Sequence, residues 1–389
     1  MGVENLDFLQ NQLITYIGNK RALLPFIGQA VQIVQKNLNK EKLDCLDIFA
    51  GSGIVARYLK QFSSSITVND MELYSYIINS CYLSNPDENE LSTIKNLYDS
   101  LLTKIDSRIK QLEEDRKSGS YKAPGFISEL YSPKDENNIQ AQERCFYTPY
   151  NANYLDLARQ LIESEIPESF QKYFIAPLLS EASIHANTAG IFKGFYKNSK
   201  TGKGQFGGNG KNALSRIKGK ISLPFPLFSN FQSEYKIFNE DANLLVNEDK
   251  LYQGLDSFDL AYFDPPYNQH PYGSNYFMLN LLATYKRPDE AYISRVSGIP
   301  KDWNRSAYNK KRKVCDVFGQ LVKNVRAKYV LISFNSEGFI SKEEIINIIS
   351  EYGKVQVLES NYNTFRGSRN LTNRDIYVKE YLFLLEKNL

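Results

Sequence analysis

Short apolar runs alternate with longer amphipathic segments in two separate parts of this chain. In the first part, residues 45–49 and 66–68 predict strands, and residues 53–62 and 74–82 predict the helices that follow them. The same alternation resumes after residue 230. Its apolar runs predict strands at residues 235–238, 260–263, 329–333, 355–358 and 381–385. Strands that alternate with helices are typical of an α/β fold with a largely parallel sheet.

The stretch between these two parts has a different pattern. Residues 84–230 are charged, and we expect them to be rich in loops, with a helical patch near residues 173–183 and a Gly/Lys-rich tract at residues 193–220. A chain of 389 residues exceeds the usual size of a single core. We therefore expect residues 1–83 and 231–389 to form one core, with residues 84–230 as an inserted lobe.

Composition narrows the class of protein only slightly. The 27 Tyr and 23 Phe suit either an aromatic core or a surface that stacks on bases, and the net charge of +3 says little because the basic residues are unevenly placed. Four cysteines without a CxxC pair, and only two histidines, argue against structural zinc or a disulfide framework. No apolar run approaches the length of a membrane span, so we expect a cytoplasmic protein without membrane contact.

A glycine motif lies where the first predicted strand turns into its helix, at residues 47–53. Gly51 and Gly53 let the backbone approach a ligand, and the amides at a helix start favour polar or anionic groups. Asp70, after the second strand, is placed to accept hydrogen bonds from ribose hydroxyls. Residues 51–56 also fit the dinucleotide pattern G-x-G-x-x-A. The motif thus leaves nicotinamide, S-adenosylmethionine and a plain strand–turn–helix junction as alternatives.

The tetrapeptide Asp264, Pro265, Pro266 and Tyr267 follows the apolar run at residues 260–263, at a strand end where open α/β sheets place their active sites. The lone pair of a nucleobase amine is delocalised into the ring, so nucleophilic attack requires acceptors for its hydrogens. The Asp264 carboxylate and the Pro265 carbonyl can accept one hydrogen each. Tyr267 can stack on a base that has left the duplex. A Pro-Pro turn capped by Asp is the structural alternative.

In these motifs the chain resembles the Dam-like, alpha-ordered adenine-specific DNA methyltransferases of the DPPY type, as found in restriction–modification systems. Four matches occur in the order of that family, at residues 16–21, 47–53 with 69–70, 239–241 and 264–267. The resemblance implies a Rossmann-like class I methyltransferase core, with a seven-stranded sheet whose last strand is antiparallel. It also implies S-adenosylmethionine as cofactor, double-stranded DNA as substrate and no metal.

The resemblance further implies roles for individual residues. Tyr16 and Lys20 would lie near the methionine end of the cofactor, and Asp241 near its adenine, although the adjacent Glu240 could serve, or Asp241 could simply cap a helix. The full set of implied cofactor residues is Tyr16, Lys20, Asp47, Phe49, Gly51, Gly53, Asp70 and Asp241.

Two segments beyond the tetrapeptide also resemble family segments. Residues 268–276 resemble the segment that closes over cofactor and target, and residues 333–335 resemble another segment near the site. Within the first, we expect His270 to make a polar contact. General-base catalysis is not needed, because the amino proton becomes acidic once the nitrogen is methylated.

The resemblance places sequence recognition in the inserted lobe, and the residues point the same way. The Gly/Lys-rich tract contains no acidic residue and eight basic ones: Lys193, Lys197, Lys200, Lys203, Lys211, Arg216, Lys218 and Lys220. Basic side chains on a flexible backbone can follow phosphates, although a solvated charge run is the alternative. Residues 185–188 offer groups for base edges or form a turn. Two further basic clusters are residues 310–313 and the series Arg366, Arg369 and Arg374.

We therefore expect a site-specific DNA adenine-N6 methyltransferase that acts as a monomer, with a cognate restriction endonuclease as a candidate partner. Methylation of the cytosine 4-amino group is the nearest alternative, and Asp rather than Ser before Pro-Pro-Tyr favours adenine. Related protein-glutamine methyltransferases prefer Asn at that position. A non-catalytic DNA-binding subunit that retains a cofactor pocket would not need an intact Asp264.

Overall fold

The computed structural model describes residues 3–208, 210, 213–335, 338–363 and 377–388. In these ranges one seven-stranded sheet forms the centre of the molecule, in the order β3-β2-β1-β4-β5-β7-β6. The strands are β1 (Leu43–Asp47), β2 (Ser63–Asn69), β3 (Glu234–Phe238), β4 (Phe258–Phe263), β5 (Ala327–Asn335), β6 (Gly353–Asn363) and β7 (Tyr377–Lys387). Only β7 runs antiparallel to its neighbours β5 and β6. The predicted sheet is confirmed.

Helices pack on both faces of this sheet and join it to the inserted lobe. Within the described ranges they are α1 (Leu6–Gln10), α2 (Leu24–Leu38), α3 (Ile54–Lys60), α4 (Leu73–Tyr82), α5 (Glu88–Ser118), α6 (Phe126–Leu130), α7 (Pro149–Glu165), α8 (Glu168–Ile184), α9 (Leu214–Lys218), α10 (Ala242–Leu245), α11 (Tyr272–Asn275), α12 (Phe277–Thr284), α13 (Val314–Asn324) and α14 (Lys342–Ser350). None of them is long and apolar enough to cross a membrane.

The central strand β4 is buried at every position because it is covered from both sides. On one face, Leu260 and Tyr262 share a hydrophobic cluster with residues of α2 and α3. On the other face, Phe258 and Phe263 pack in a cluster with residues of α13 and α14. The carboxyl ends of β1, β2 and β4 therefore meet at one edge of a rigid sheet, where the glycine motif and the tetrapeptide emerge.

The prediction that residues 84–230 are rich in loops is wrong for much of that stretch. Helix α5 alone has 31 residues, begins with a capping box at Asp87 and Glu90, and ends at Gly119 in the left-handed conformation. Its buried residues Ile94, Leu101, Ile105 and Ile109 lie on one face, with partly buried apolar residues beside them, and the exposed positions are mostly polar or charged. This single narrow stripe among many charges explains why the sequence pattern looked like a loop. The helical patch predicted near residues 173–183 lies inside α8.

The inserted segment packs directly against the core. Leu101, Leu155 and Leu178 belong to the same hydrophobic cluster as Tyr74 of α4 and Leu279 of α12. Helix α4 follows β2 and α12 follows the tetrapeptide, so this packing holds the insertion beside the active edge of the sheet. The boundaries of the inserted lobe at residues 84 and 230 remain a prediction.

Candidate active site

A cavity with about 870 Å³ of open volume, its mouth included, lies at the carboxyl ends of β1, β2 and β4. Of the residues predicted for the site, its lining contains Tyr16, Lys20, Asp47, Phe49, Gly51, Asp70, Asp241, Asp264 and Pro266. Pro265, Tyr267 and Gly53 lie outside this lining. Gly53 has a φ of +74°, and a Cβ there would collide with the side-chain oxygen of Asn79. The absence of a side chain at Gly53 therefore lets the turn pack closely against α4.

The glycine loop is held in shape by Asp70. The Gly51 N–H donates to Oδ2 of Asp70 at 2.7 Å, and the Glu72 N–H donates to Oδ1 at 2.9 Å. Burial raises the pKa of Asp70 to about 6, although these backbone hydrogen bonds lower it. Gly51 has a φ of +53°, and a Cβ there would lie 2.6 Å from the Tyr16 ring. This position thus requires glycine, and it places the backbone against the cavity.

Asp47 ends β1 beneath the cavity and is only 1% exposed. Neither of its carboxylate oxygens has a well-aligned hydrogen-bond partner among the described residues. Burial, followed by the nearby charges of Asp264 and Asp70, raises the pKa of Asp47, and the N–H groups of Phe49 and Ala56 only partly oppose this shift. A buried acceptor without a partner is costly, so a ligand group that donates hydrogen bonds fits here.

The tetrapeptide carboxylate forms an ion pair with the N-terminal motif. The Lys20 ammonium lies 3.0 Å from Oδ2 of Asp264 and also donates to the Gly18 carbonyl at 3.2 Å. The other oxygen of Asp264, Oδ1, is buried and has no hydrogen-bond partner among the described residues. Burial raises the pKa of Asp264, and the Lys20 charge works against that shift. One acceptor of Asp264 is therefore fixed and the other is available.

The Tyr267 ring is held from two sides. It packs edge-on against Phe334, with ring centroids 6.0 Å apart, and the Lys20 ammonium lies 5.9 Å from its centroid. The Tyr267 carbonyl accepts a hydrogen bond from the Phe339 N–H at 2.9 Å. Phe334 belongs to the short family segment at residues 333–335, so the structure brings that segment next to the tetrapeptide.

A stack of tyrosines joins the N-terminal motif to the segment after the tetrapeptide. The Tyr16 ring lies 5.0 Å from that of Tyr272 and 4.9 Å from that of Tyr276, in nearly parallel orientation. The Tyr276 hydroxyl accepts from the Ile17 N–H at 2.8 Å, and the Tyr272 hydroxyl donates to the Ile17 carbonyl at 3.2 Å. Residues 16–20 and 268–276, far apart in sequence, thus form one wall of the cavity.

Residues 303–309 form a second wall of the cavity, which we call the strap and which no sequence motif predicted. The Asn304 amide donates to the Met71 carbonyl at 3.0 Å, and the Asn309 amide donates to the Asn268 carbonyl at 2.8 Å. The Tyr308 ring packs edge-on against Phe49 at 5.2 Å. Most of the strap is irregular, without helical or strand periodicity. Its position over the cavity depends on contacts with distant segments.

Asp241 caps α10, because its side chain accepts hydrogen bonds from the N–H groups of Asn243 and Leu244. The capping alternative is therefore correct, and it is compatible with a cofactor contact because Asp241 also lines the cavity. Glu240 lines the cavity as well, and its carboxylate pairs with Lys250 at 2.9 Å.

Comparison with known proteins identifies the family. The model of the D12 class N6 adenine-specific DNA methyltransferases matches residues 16–348. The chain belongs to this family. It is 29% identical over 381 residues to the type II methyltransferase M.NlaIII of Neisseria lactamica, covering 96% of this chain and 99% of that protein.

Two further relatives extend the comparison. The type II methyltransferase M.CviAII of Paramecium bursaria Chlorella virus 1 is 30% identical over 375 residues, which is 96% of this chain and 98% of the relative. The modification methylase StsI of Streptococcus sanguinis is 29% identical over 382 residues, which is 96% of this chain and 52% of the relative. Membership in an adenine-N6 family sets aside the nicotinamide and cytosine alternatives, and it implies a methyl donor.

In this D12-class chain the Gly/Lys-rich tract contains a tight turn near the active edge. An antiparallel bridge joins Lys197 to Gly204, and Lys200 and Lys203 between them are exposed. Lys193 lies 3.2 Å from Nδ1 of His270, and burial and then the Lys193 charge lower the pKa of that histidine. The tract thus reaches the segment that follows the tetrapeptide.

Arg216, predicted to contact DNA, is held by local hydrogen bonds. Its guanidinium donates to the carbonyls of Ile184, Ala186 and Thr188, at the carboxyl end of α8. These hydrogen bonds satisfy carbonyls that a helix end leaves free, so Arg216 stabilises the end of α8, and its contact with DNA stays a prediction. A basic residue in a basic tract looks the same in sequence whether it faces solvent or a helix end.

The remaining basic residues of the tract differ in their surroundings. Lys218 is exposed and pairs with Glu136 at 3.7 Å, and the exposed Lys220 lies 4.3 Å from the centre of the Tyr150 ring. Residues 310–313 are exposed just before α13. The predicted Lys211, Arg366, Arg369 and Arg374 lie outside the described residues.

The suggestion that residues 185–188 read base edges is wrong for Asn187, which is fully buried. Its amide donates to the carbonyls of Cys145 and Gln205, and its oxygen accepts from the Gly207 N–H. Nδ1 of His185 lies 2.6 Å from the carbonyl oxygen of Arg216. Asn187 therefore anchors the turn that carries Lys200 and Lys203.

Proposed function

We propose that this chain transfers the methyl group of S-adenosylmethionine to the 6-amino group of an adenine within a specific DNA sequence. We also propose that it is the modification enzyme of a restriction–modification system, acting as a monomer beside a cognate endonuclease. The adenine-N6 family and relatives named as type II methyltransferases support this proposal. Since its substrate is host DNA, we propose that it works in the cytoplasm, where that DNA is accessible.

The residues of the cavity fit S-adenosylmethionine. When bound, this cofactor supplies an electrophilic methyl group on a positively charged sulfur. Asp47 offers buried carboxylate oxygens that lack well-aligned partners, and Asp70 offers acceptors next to the close backbone approach at Gly51. We assign Tyr16, Lys20, Asp47, Phe49, Gly51, Asp70 and Asp241 to this site, with Gly53 shaping the turn.

The single observation that carries the catalytic proposal is the available oxygen of Asp264. Its Oδ1 is buried and unpartnered among the described residues, while Lys20 holds Oδ2. We propose that Oδ1 accepts one hydrogen of the target amine and that the Pro265 carbonyl accepts the other. Acceptors in this geometry polarise both N–H bonds toward the nitrogen and favour a lone pair localised on it, so the nitrogen becomes more tetrahedral and more nucleophilic. Preorganised acceptors of this kind are each worth on the order of 100-fold in rate.

The other members of the tetrapeptide would position the base. Pro266 lines the cavity, and consecutive prolines restrict the backbone so that the Pro265 carbonyl keeps one direction. Tyr267, packed on Phe334, provides an aromatic face for a flipped adenine. After methylation the acidic amino proton leaves to solvent, and the neutral His270 serves as a polar contact beside Lys193.

For DNA binding we propose that residues 84–230 form the target-recognition domain. Lys200 and Lys203 are exposed on the turn anchored by Asn187, and among the described residues neither has an ion-pair partner. We assign phosphate contacts to Lys193, Lys197, Lys200, Lys203 and Lys211, with Lys218 and Lys220 as further contacts near their local partners.

The test is to express the parent chain and Asp264→Ala in a host that lacks adenine methylation, and to sequence the host DNA by a method that reads modified bases. We expect the parent to methylate one short motif at adenine N6, and the variant to lose on the order of 100-fold or more in turnover. Calorimetry should show that the variant still binds S-adenosylmethionine. Near-parental turnover of Asp264→Ala would remove Asp264 from the mechanism, and methylated cytosine would refute the substrate assignment.

A further inference from the structure

Glu72 is a buried carboxylate of the cavity, two residues after Asp70. It lines the cavity and is 5% exposed. Its Oε2 accepts a hydrogen bond from the Asn280 amide at 2.5 Å, and the amide of Asn304, in the strap, lies 3.5 Å from the same oxygen. Among the described residues no hydrogen bond or ion pair involves Oε1. A buried carboxylate oxygen without a donor is costly, so a ligand group that donates a hydrogen bond fits here.

The direction of the Glu72 carboxylate is fixed by its neighbours. Oδ1 of Asn280 accepts a hydrogen bond from the Tyr74 N–H at 3.2 Å, so the NH₂ group of Asn280 faces Glu72. A Cβ at Gly273 would lie 3.1 Å from Oε1, so the glycine leaves this oxygen uncrowded. Oε2 is therefore held, and Oε1 is a preorganised acceptor.

Asp70, the neighbouring acid, is more fully engaged than Glu72. The Gly51 N–H donates to Oδ2 of Asp70, and the Glu72 N–H donates to Oδ1. The ribose of S-adenosylmethionine has two neighbouring hydroxyl groups, and each can donate one hydrogen bond. An oxygen that already accepts from an N–H has less capacity for a second donor than an oxygen without one. Oε1 of Glu72 therefore offers the acceptor that a second hydroxyl needs, next to the acid assigned to the ribose.

We propose that Glu72 is a cofactor-binding residue, which accepts a hydrogen bond from one ribose hydroxyl of S-adenosylmethionine while Asp70 accepts from the other. Burial raises the pKa of Glu72 to about 7, so its carboxylate is ionised in a mildly alkaline assay, and the hydrogen bond is then charge-assisted. This inference rests on the proposed use of S-adenosylmethionine as cofactor.

The test measures binding without catalysis. The ligands are S-adenosylhomocysteine and its 2′-deoxy and 3′-deoxy analogues, titrated by calorimetry at about pH 8.5. Glu72→Ala should weaken the binding of S-adenosylhomocysteine by about tenfold or more, as expected for a hydrogen bond to a charged group. For the analogue that lacks the contacted hydroxyl, Glu72→Ala should lose no more than about twofold relative to the parent, because that interaction is absent from both complexes. The other analogue should show the full loss.

Two further variants complete the comparison. Glu343→Ala changes an exposed glutamate in α14, so it should bind all three ligands as the parent does. Thermal unfolding reports whether Glu72→Ala folds. If it does not, Glu72→Gln carries the same comparison, because it keeps the size of the side chain. Its expected loss for S-adenosylhomocysteine is smaller, about threefold or more, since a neutral amide replaces a charged acceptor.

Three outcomes would overturn the proposal. The first is parental affinity of the folded Glu72 variant for S-adenosylhomocysteine. The second is an equal loss for all three ligands, because the effect would then come from another part of the cofactor or from the shape of the cavity. Failure of the cofactor proposal would be visible in the parent itself, which would then not bind S-adenosylhomocysteine, and this third outcome would overturn both proposals.

Discussion

Replacement of Gly51 by alanine should damage cofactor binding far more than it damages the fold. Gly51 has a φ of +53°, and the added Cβ would lie 2.6 Å from Cε1 and 2.9 Å from the hydroxyl of Tyr16. An L-residue in the left-handed region costs roughly 1–2 kcal/mol. Tyr16 cannot easily withdraw, because its ring stacks against those of both Tyr272 and Tyr276. Overpacking against a fixed ring adds about 1–3 kcal/mol.

The sum, about 2–5 kcal/mol, falls on the loop that lines the cavity, so part of it should appear as lost cofactor affinity. At about 1.4 kcal/mol per factor of ten, we expect the dissociation constant for S-adenosylmethionine to rise by roughly 10- to 100-fold. Calorimetry measures that constant, and thermal unfolding measures the cost to the fold.

Gly119→Ala is the matched control. Gly119 also has a positive φ, +80°, but a Cβ there meets nothing within 4 Å, and it ends α5 far from the cavity. It should cost stability of about 1–2 kcal/mol and leave cofactor affinity unchanged. Gly51→Ala with parental affinity for S-adenosylmethionine would contradict this reasoning, and so would an equal loss of cofactor affinity in Gly51→Ala and Gly119→Ala. Either result would show that close contact with Tyr16 is not the reason why position 51 requires glycine.

Two further outcomes can be measured. Changing Lys197, Lys200 and Lys203 together to Ala should flatten the slope of log DNA affinity against log salt by up to roughly three units. The control Arg216→Ala should lower thermal stability and leave that slope unchanged. An unchanged slope in the triple variant would show that the tract is a solvated loop. Affinity for S-adenosylmethionine should fall as pH decreases through about 7 and then about 6, because Glu72 and Asp70 take up protons at those values and a protonated carboxyl loses its charge and one acceptor site. Glu72→Gln should remove the step near pH 7, and a parental profile in that variant would exclude Glu72 as its source.

The sequence alone determined the features that depend on local chemistry. Short apolar runs predicted the strands, because a strand between two helical layers must be apolar. Gly51 was recognisable because few other residues tolerate its backbone conformation, and the tetrapeptide because Asp and two prolines at a strand end suit one kind of chemistry. These signals need no knowledge of distant contacts, so the core and the cavity residues could be found.

Only the tertiary structure decided which polar residues are partners. Arg216 and Lys200 belong to the same basic tract, yet one caps α8 and the other faces solvent. Lys20 belongs to the N-terminal motif and Asp264 to the tetrapeptide, and nothing near either residue in sequence indicates that they form an ion pair. The strap reaches the cavity through hydrogen bonds to residues that lie 233 and 41 positions earlier in the sequence. Electrostatic and hydrogen-bonded contacts depend on distance in space, and the fold alone sets that distance.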